Sequence, residues 1–169
     1  HRFLWETEKS GWKQWELRDL DGTLINALTS GAFPVESILS IDEEVGRLYY
    51  TAKSSETPIN EQVHRVNLDG TDPRRYTSAD LHHSDVRLSP DGRFVVTTRQ
   101  AFDVPPATVL YDEEGHELVV FAEGSLDGAA EAGFSGGRLL PFTSTDGTTR
   151  LHAFLHMPND FDPTKKYPL

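Results

Sequence analysis

One stretch of the sequence has the spacing of a serine nucleophile. Gly133-Phe134-Ser135-Gly136-Gly137 matches the pattern G-x-S-x-G. This chemistry needs the serine on a sharp turn between a hydrophobic strand and a helix. The preceding residues 124–132 are small, acidic and glycine-rich, and the following Arg138-Leu139-Leu140-Pro141 cannot begin a long helix. We therefore interpret residues 133–137 as a linker, because the structural context of the motif is missing.

Histidines and carboxylates could instead hold a metal ion. The candidate groups are His64 with His82, His83 and Asp85, and His152 with His156. Neighbouring residues of a strand point to opposite faces, so His82 and His83 cannot easily share one ion. His152 and His156 share a face but stand about 13 Å apart at the rise of a strand. We expect these histidines to be ordinary loop or surface residues.

Two acidic runs, Asp42-Glu43-Glu44 and Asp112-Glu113-Glu114, contain the carboxylates that a glycosidase would need. Such an enzyme holds two carboxylates across a cleft, whereas both runs lie at predicted turns. We interpret them as solvated turns.

Several aromatic side chains could line a sugar site. They are Trp5, Trp12, Trp15, Tyr49, Tyr50 and Phe94. They fall in runs with the alternation of β-strands, where aromatic residues usually pack in the core. We therefore expect them to be buried between sheets.

Composition restricts the classes of partner. The 169 residues include 27 acidic and 16 basic ones, which gives a net charge of −11. This sign disfavours nucleic acids and anionic membranes as partners. No run reaches the roughly 20 apolar residues of a membrane helix, so no membrane segment is predicted.

The chain has no cysteine, which excludes disulfides and thiolate metal sites. The compartment stays open, with the bacterial periplasm or cytoplasm as the expectation. The first residue is histidine and the last residues stop where an apolar strand could begin. We expect an internal section of a longer protein, either cut by design or released by proteolysis.

Strands and turns must position all of these residues, and the turns recur regularly. Gly22, Gly46, Gly70, Gly92 and Gly115 follow one another at intervals of 24, 24, 22 and 23 residues. Each interval holds two short strands, and two kinds of turn alternate. The repeat is therefore four strands long, which is the ~40–50 residues of a propeller blade.

The stretch from Leu88 to Thr98 shows the unit of this repeat. Pro90-Asp91-Gly92 separates an alternating run from a run rich in β-branched residues, which predicts a hairpin. Val104-Pro105-Pro106 is predicted to be a stiff spacer. The longest helix candidate, residues 127–132, covers only a turn or two.

Three parts of the chain together are characteristic of one family. They are Phe3-Leu4-Trp5 with Gly11-Trp12, Ser89-Pro90-Asp91-Gly92, and Phe161-Asp162-Pro163-Thr164-Lys165-Lys166-Tyr167-Pro168-Leu169. Together they resemble the dipeptidyl peptidase IV family of serine peptidases, in the prolyl oligopeptidase clan. The last part is the most specific, because in that family a similar run leads into a core strand of the α/β-hydrolase domain. The resemblance spans essentially the whole chain.

The resemblance implies an all-β fold, with a partial β-propeller of about two and a half four-stranded antiparallel blades. The first β-hairpin of an α/β-hydrolase domain follows. Residues 1–30 would be the outer strands of one blade, and 31–80 and 81–123 two further blades. Residues 124–140 would be a linker, and 141–169 the start of the hydrolase domain.

The function implied is that of a serine exopeptidase that releases N-terminal dipeptides with Pro or Ala in second place. The family's triad, its tyrosine oxyanion donor and its substrate-binding glutamates would all lie outside this chain. No catalytic, cofactor-binding or metal-binding residue is therefore assigned, and no cofactor is expected. The predicted role is scaffolding and substrate gating, with a peptide substrate for the whole protein and no catalysis by the chain alone.

Two other functions remain open. One is a non-enzymatic propeller that binds proteins, of the WD or TolB-like type. The tail argues against it, because a binding propeller has no need of a hydrolase-like hairpin. The other is a different clan member, such as an oligopeptidase or acylaminoacyl peptidase. Because isolated blades leave faces bare, we also expect a homo-oligomer.

Overall fold

We describe a computed structural model of the chain, covering residues 1–54, 58–129, 131–134, 136–158 and 160–167. These residues form thirteen strands and contain no helix. The strands are β1 (Arg2–Thr7), β2 (Gln14–Asp19), β3 (Leu24–Ala27), β4 (Val35–Asp42), β5 (Arg47–Ala52), β6 (Gln62–Asn67), β7 (Arg74–Arg75), β8 (His82–Leu88), β9 (Val95–Ala101), β10 (Val104–Tyr111), β11 (Glu117–Glu123), β12 (Gly137–Thr143) and β13 (Arg150–His156).

The strands build four antiparallel sheets in chain order. Sheet 1 has the order β1-β2-β3, sheet 2 β4-β5-β6-β7, sheet 3 β11-β10-β9-β8 and sheet 4 β12-β13. Within each sheet, every strand pairs with the next one along the chain, as in a meander. The predicted all-β fold is therefore confirmed, and sheets 2 and 3 each have the four strands of a propeller blade.

The Pro-Asp-Gly turn between β8 and β9 is closed by side chains as well as by backbone. Ser89 N–H donates to the Phe94 carbonyl at 2.9 Å, and Gly92 N–H donates to the Ser89 carbonyl at 2.9 Å. The Ser89 hydroxyl donates to the Asp91 carboxylate at 2.6 Å. Gly92 has φ 66, a conformation that favours glycine. The same arrangement recurs at Ser144, Asp146 and Gly147 between β12 and β13.

Sheet 2 is buried on both faces. The side chains of β5 and β6 are buried along nearly their whole length. One face joins a core with sheet 1, made of Leu17, Leu28, Val35, Leu48, Tyr50, Ala52, Val66 and Leu68. The other face joins a core with sheet 3, made of Val63, Tyr76, Val95, Ala107, Val109 and Tyr111. Alternation along the strands sends successive residues into these two cores.

In sheets 2 and 3, the turn that precedes the last strand packs on the sheet before it. A Cβ built at Gly70, after β6, would lie 2.7 Å from the Ala27 carbonyl oxygen of β3. A Cβ built at Gly115, after β10, would lie 2.4 Å from the Tyr76 carbonyl oxygen just beyond β7. The equivalent turn of sheet 1 carries Gly22, which has nothing within 4 Å. Glycine is thus needed sterically where one sheet meets another.

The chain forms two compact units. The first comprises His1–Ala101 and Pro106–Glu123, and the second comprises Phe102–Pro105 and the residues from Gly124 onward. An aromatic cluster anchors the second unit, because the Phe102 ring lies 4.8 Å from Phe154, 5.5 Å from Phe134 and 5.2 Å from His156 between centroids. A Cβ at Gly137 would meet the Phe102 ring at 2.8 Å.

One local prediction was wrong. Val104, Pro105 and Pro106 are the first residues of strand β10 rather than a spacer. Proline is tolerated there, since the start of a strand can do without one ladder hydrogen bond. The helix candidate at 127–132 consists of hydrogen-bonded turns wherever it is described, with Ala129 N–H donating to the Leu126 carbonyl at 2.9 Å.

Candidate functional site

The serine of the G-x-S-x-G stretch, Ser135, lies outside the described residues. Its flanks Gly133 and Gly136 have φ 90 and 74. The described residues before it form turns, and those after it form strand β12. The strand-turn-helix context of a nucleophile elbow is therefore absent from the described residues around this position.

The candidate histidines each have their own separate contacts. The His82 ring accepts the Glu61 N–H at 3.2 Å. His83 is 1% exposed, and its ring meets Tyr111 edge-on at 6.1 Å. His156 packs against Phe102 and Phe154. Within the described part of the chain, no three His, Asp or Glu side chains come together as a metal site would require.

The acidic runs close their own turns. The Asp42 carboxylate accepts the N–H groups of Glu44 and Val45 at 3.0 and 2.9 Å. Asp112 accepts those of Glu114 and His116, each at 2.9 Å. These carboxylates are engaged with backbone in solvent-exposed turns rather than facing each other across a cleft.

Of the six aromatic residues, Trp15 is partly buried against the core between sheets 1 and 2, and the other five divide into two groups. Tyr49 and Tyr50 are buried, as predicted. The prediction of burial is wrong for Trp5, Trp12 and Phe94, which are 50%, 42% and 37% exposed. Trp5 belongs to β1, which pairs with only one strand, and Trp12 and Phe94 lie in or beside connecting segments.

A cavity of about 350 Å³ opens between sheets 1 and 2. Sheet 2 contributes Tyr50 from β5, His64 from β6 and the two arginines of β7. The far wall comprises Ala27, Leu28, Thr29, Ser30 and Phe33, and Ser54, Gly70 and Pro73 complete the lining. Its size is within the range of small-molecule sites.

Three rings stack along one wall of this cavity. The His64 ring lies 5.2 Å from Tyr50 and 6.2 Å from Phe33, with interplanar angles of 22° and 25°. Tyr50 and His64 are direct cross-strand partners of β5 and β6, which places their side chains on the same face. The cavity therefore has a flat aromatic side.

Ser54 and His64 form a hydrogen-bonded pair, with Oγ and Nε2 2.8 Å apart. The pKa of His64 is lowered to about 4, chiefly by burial and further by the charge of Arg75. The ring is therefore neutral at pH 7 and a weak base. No carboxylate orients it among the described residues, so the pair lacks the third member of a catalytic triad.

Sequence reasoning missed this cavity. The sequence suggests His64 only as a metal ligand and Tyr50 as a core residue or a sugar-site aromatic, while Ser54 and Arg75 belong to no motif. The one signal in the sequence is that some side chains carry a polar group although their strands have the hydrophobic pattern of a core. Which of these polar groups come together depends on how sheet 1 packs on sheet 2, and no local sequence pattern specifies that packing.

The described residues contain no helix that could span a membrane.

Comparisons with known proteins agree on one family. The family described as "Dipeptidyl peptidase IV (DPP IV) N-terminal region" matches residues 1–106.

Two curated relatives are the venom dipeptidyl peptidase 4 proteins of Vespula vulgaris and Vespa velutina. Each is 27% identical over 155 residues, covering 84% of this chain and 19% of the relative. The chain thus spans about a fifth of the length of these relatives.

Two solved structures share the fold. Dipeptidyl peptidase 4 of Porphyromonas gingivalis superposes with a TM-score of 0.82 at 22% identity, covering 99% of this chain and 24% of that one. A putative dipeptidyl aminopeptidase IV of Bacteroides ovatus gives 0.77 at 20% identity, covering 99% and 26%. These structures support the fold, and the family match spans well over half of the sequence. The chain belongs to the dipeptidyl peptidase IV family, in its N-terminal region.

Proposed function

We propose that this chain is a structural section of a serine-type dipeptidyl peptidase that releases N-terminal dipeptides with Pro or Ala in second place. The observation that supports this most strongly is the family match over residues 1–106. The curated relatives are named dipeptidyl peptidases, and the alignment to them extends over 84% of this chain.

The proposed role of the chain is to scaffold and gate, not to cleave. Residues 31–80 and 81–123 would be two blades, 1–30 the outer strands of another, 124–140 a linker and 141–169 the start of the peptidase domain. A Ser-His-Asp triad would be supplied by other parts of the longer protein. The described residues contribute one hydrogen-bonded Ser-His pair, and its histidine is a weak base.

The tail that suggested a peptidase is folded locally. The rings of Phe161 and Tyr167 stack at 5.3 Å, and the Tyr167 hydroxyl accepts the Asp162 N–H at 2.8 Å. Asp162 in turn accepts the Thr164 N–H at 2.9 Å. These contacts hold residues 161–167 in a compact loop.

The test compares the 169-residue chain with the longer protein that contains it. We expect the longer protein to hydrolyse Gly-Pro-p-nitroanilide and to be labelled by a fluorophosphonate, and the chain alone to do neither. Lys-Ala-p-nitroanilide and a blocked N-acetyl-Gly-Pro substrate test the second residue and the need for a free N-terminus. A longer protein that cleaves only the blocked substrate would point to another clan member, and one that is not labelled would point to a binding module.

A further inference from the structure

One tyrosine hydroxyl lines the cavity between sheets 1 and 2 without a hydrogen-bond partner among the described residues. Tyr50 is 3% exposed and lines the cavity, yet its hydroxyl makes no hydrogen bond to any described residue. Its buried neighbour Tyr49 differs, since its hydroxyl donates to the Gly92 carbonyl at 3.2 Å. The Tyr50 oxygen is not sealed from solvent, so its hydroxyl reaches the open space of the cavity and can donate to a molecule bound there.

The two arginines of β7 differ in the same way. Arg74 is fully engaged, with Nε 3.0 Å from Asp72 and Nη1 2.9 Å from Glu114. Arg75 also lines the cavity but forms no ion pair or hydrogen bond with described residues. It is paired in register with His64 and acts electrostatically on that ring. Its guanidinium is therefore an available cation at the cavity.

The rest of the lining suits an apolar body. The aromatic side formed by Phe33, His64 and Tyr50 offers ring faces, and Leu28 and Pro73 add aliphatic surface. Among the described residues no Asp or Glu side chain lines the cavity, although the chain carries 27 of them. An anion entering here meets a cation and a hydroxyl donor rather than the negative charge found elsewhere on the protein.

We propose that this cavity is a binding site for a small monocarboxylate with an aromatic or bulky apolar body. The carboxylate would accept hydrogen bonds from the guanidinium of Arg75 and the hydroxyl of Tyr50, while the apolar body lies on the aromatic side. Guanidinium and carboxylate match in charge and in planar geometry, which gives such pairs their specificity. The site does not depend on peptidase activity, so it stands or falls separately from the proposed function.

Phenylacetate is a suitable probe, and its binding to the full chain can be measured by isothermal titration calorimetry. We expect saturable binding of one equivalent, at least tenfold tighter than that of benzyl alcohol, which lacks the charge. Inorganic phosphate supplies an anion without an apolar body and should bind at least tenfold more weakly.

Three variants locate the site. Arg75→Gln should weaken phenylacetate binding at least tenfold, and Tyr50→Phe several-fold, because the ring stays while the hydroxyl is lost. Arg87→Gln is the matched control, since Arg87 is exposed on β8 away from the cavity. Circular dichroism confirms that each variant is folded.

The proposal is overturned if the unaltered chain binds phenylacetate no better than benzyl alcohol or phosphate. It is also overturned if Arg87→Gln weakens binding as much as Arg75→Gln does. Chemical-shift changes of 15N-labelled chain provide a measurement that needs no variant. Shifts centred on Tyr50, His64 and Arg75 support the site, and shifts centred elsewhere contradict it.

Discussion

His83 is a titratable side chain that is buried in the sheet core. Neither ring nitrogen has a hydrogen-bond partner among the described residues, and the ring is packed beneath Tyr111. Burial lowers the pKa of His83 to about 4, helped by the nearby charges of His82 and Arg99. The pKa of His64 is lowered to about 4 as well. Both residues are therefore held neutral inside the fold.

This predicts a loss of stability in mild acid. In the unfolded chain histidine titrates near 6.5, so the stabilising effect is complete above that pH and is lost as pH falls toward 4. The free energy of unfolding should fall by on the order of 3 kcal/mol per histidine across this window. Urea unfolding at pH 7.5, 6 and 5 measures it.

A variant isolates the contribution of one ring. His83→Phe should flatten the pH dependence by about half, because it removes one of the two buried rings whose pKa is lowered. The turn carboxylates do not interfere. Hydrogen bonds, first from Ser144, lower the pKa of Asp146 to about 2, so its stabilising effect is lost only below about pH 4. An unchanged slope in His83→Phe would show that His83 is not the titrating group.

Asp85 is a second residue under constraint, because its backbone adopts a conformation that suits glycine. It has φ 52 in the middle of β8, where the register with β9 shifts between Ser84 and Arg87. For non-glycine residues this left-handed region costs about 1–2 kcal/mol. Asp85→Gly should therefore raise the free energy of unfolding by about 0.5–1 kcal/mol.

Asp72 is the matched comparison, with φ 50. Its carboxylate is used, because it pairs with Arg74 at 3.0 Å and with Arg65 at 3.5 Å. Asp72→Gly should thus gain less than Asp85→Gly in the same urea experiment. A destabilised Asp85→Gly would mean that its carboxylate has a role that the exposed position does not reveal.

At the scale of elements, the turns before β7 and β11 lock neighbouring sheets together. Gly22, Gly70 and Gly115 occupy equivalent turns with φ 88, 83 and 85, so replacement by alanine strains each backbone equally. Only Gly70 and Gly115 would also push a methyl group into a carbonyl oxygen of the preceding sheet.

Alanine substitutions at these turns should therefore fall into two classes. Gly22→Ala should cost about 1 kcal/mol of stability, from backbone strain alone. Gly70→Ala and Gly115→Ala should each cost about 1–3 kcal/mol more, because overpacking between rigid sheets is added. Urea midpoints at constant m-value measure the difference. Equal losses at all three positions would show that the sheets can shift apart without penalty.

Sequence reasoning worked where the signal is local. The glycine spacing located the hairpin turns, and alternation located most strands, because a strand and its turn are encoded within about ten residues. It failed at Val104-Pro105-Pro106, since strand pairing outweighed the proline signal. It could not foresee the cavity at Tyr50 and Arg75, which exists only because two sheets meet.

At the scale of the whole molecule, large apolar side chains are exposed on sheet 1 and on strand β11 of sheet 3. Strand β11 is exposed along its full length, including Leu118, Val119 and Phe121. Sheet 1 exposes Trp5, Leu24 and Ile25. Large apolar side chains exposed together on one strand or sheet are typical of surfaces that contact other protein surface.

We expect the isolated chain to self-associate through these faces. Size-exclusion chromatography with light scattering should give a mass above the 18.9 kDa of one chain. Phe121→Glu should shift the equilibrium toward the monomer, whereas Leu126→Glu, outside the strand, should not. A well-folded monomer at all concentrations would contradict this expectation.

Gly70 and Gly115 each pack against the sheet that precedes them, so these contacts between sheets follow the direction of the chain. Sheet 2 uses the last strand of sheet 1 as a platform, and sheet 3 uses the segment just beyond the last strand of sheet 2. During synthesis on the ribosome both platforms emerge first, so sheets 2 and 3 can dock as soon as their turns are made. The order in which the chain is translated is thus the order in which sheets 1, 2 and 3 can pack together.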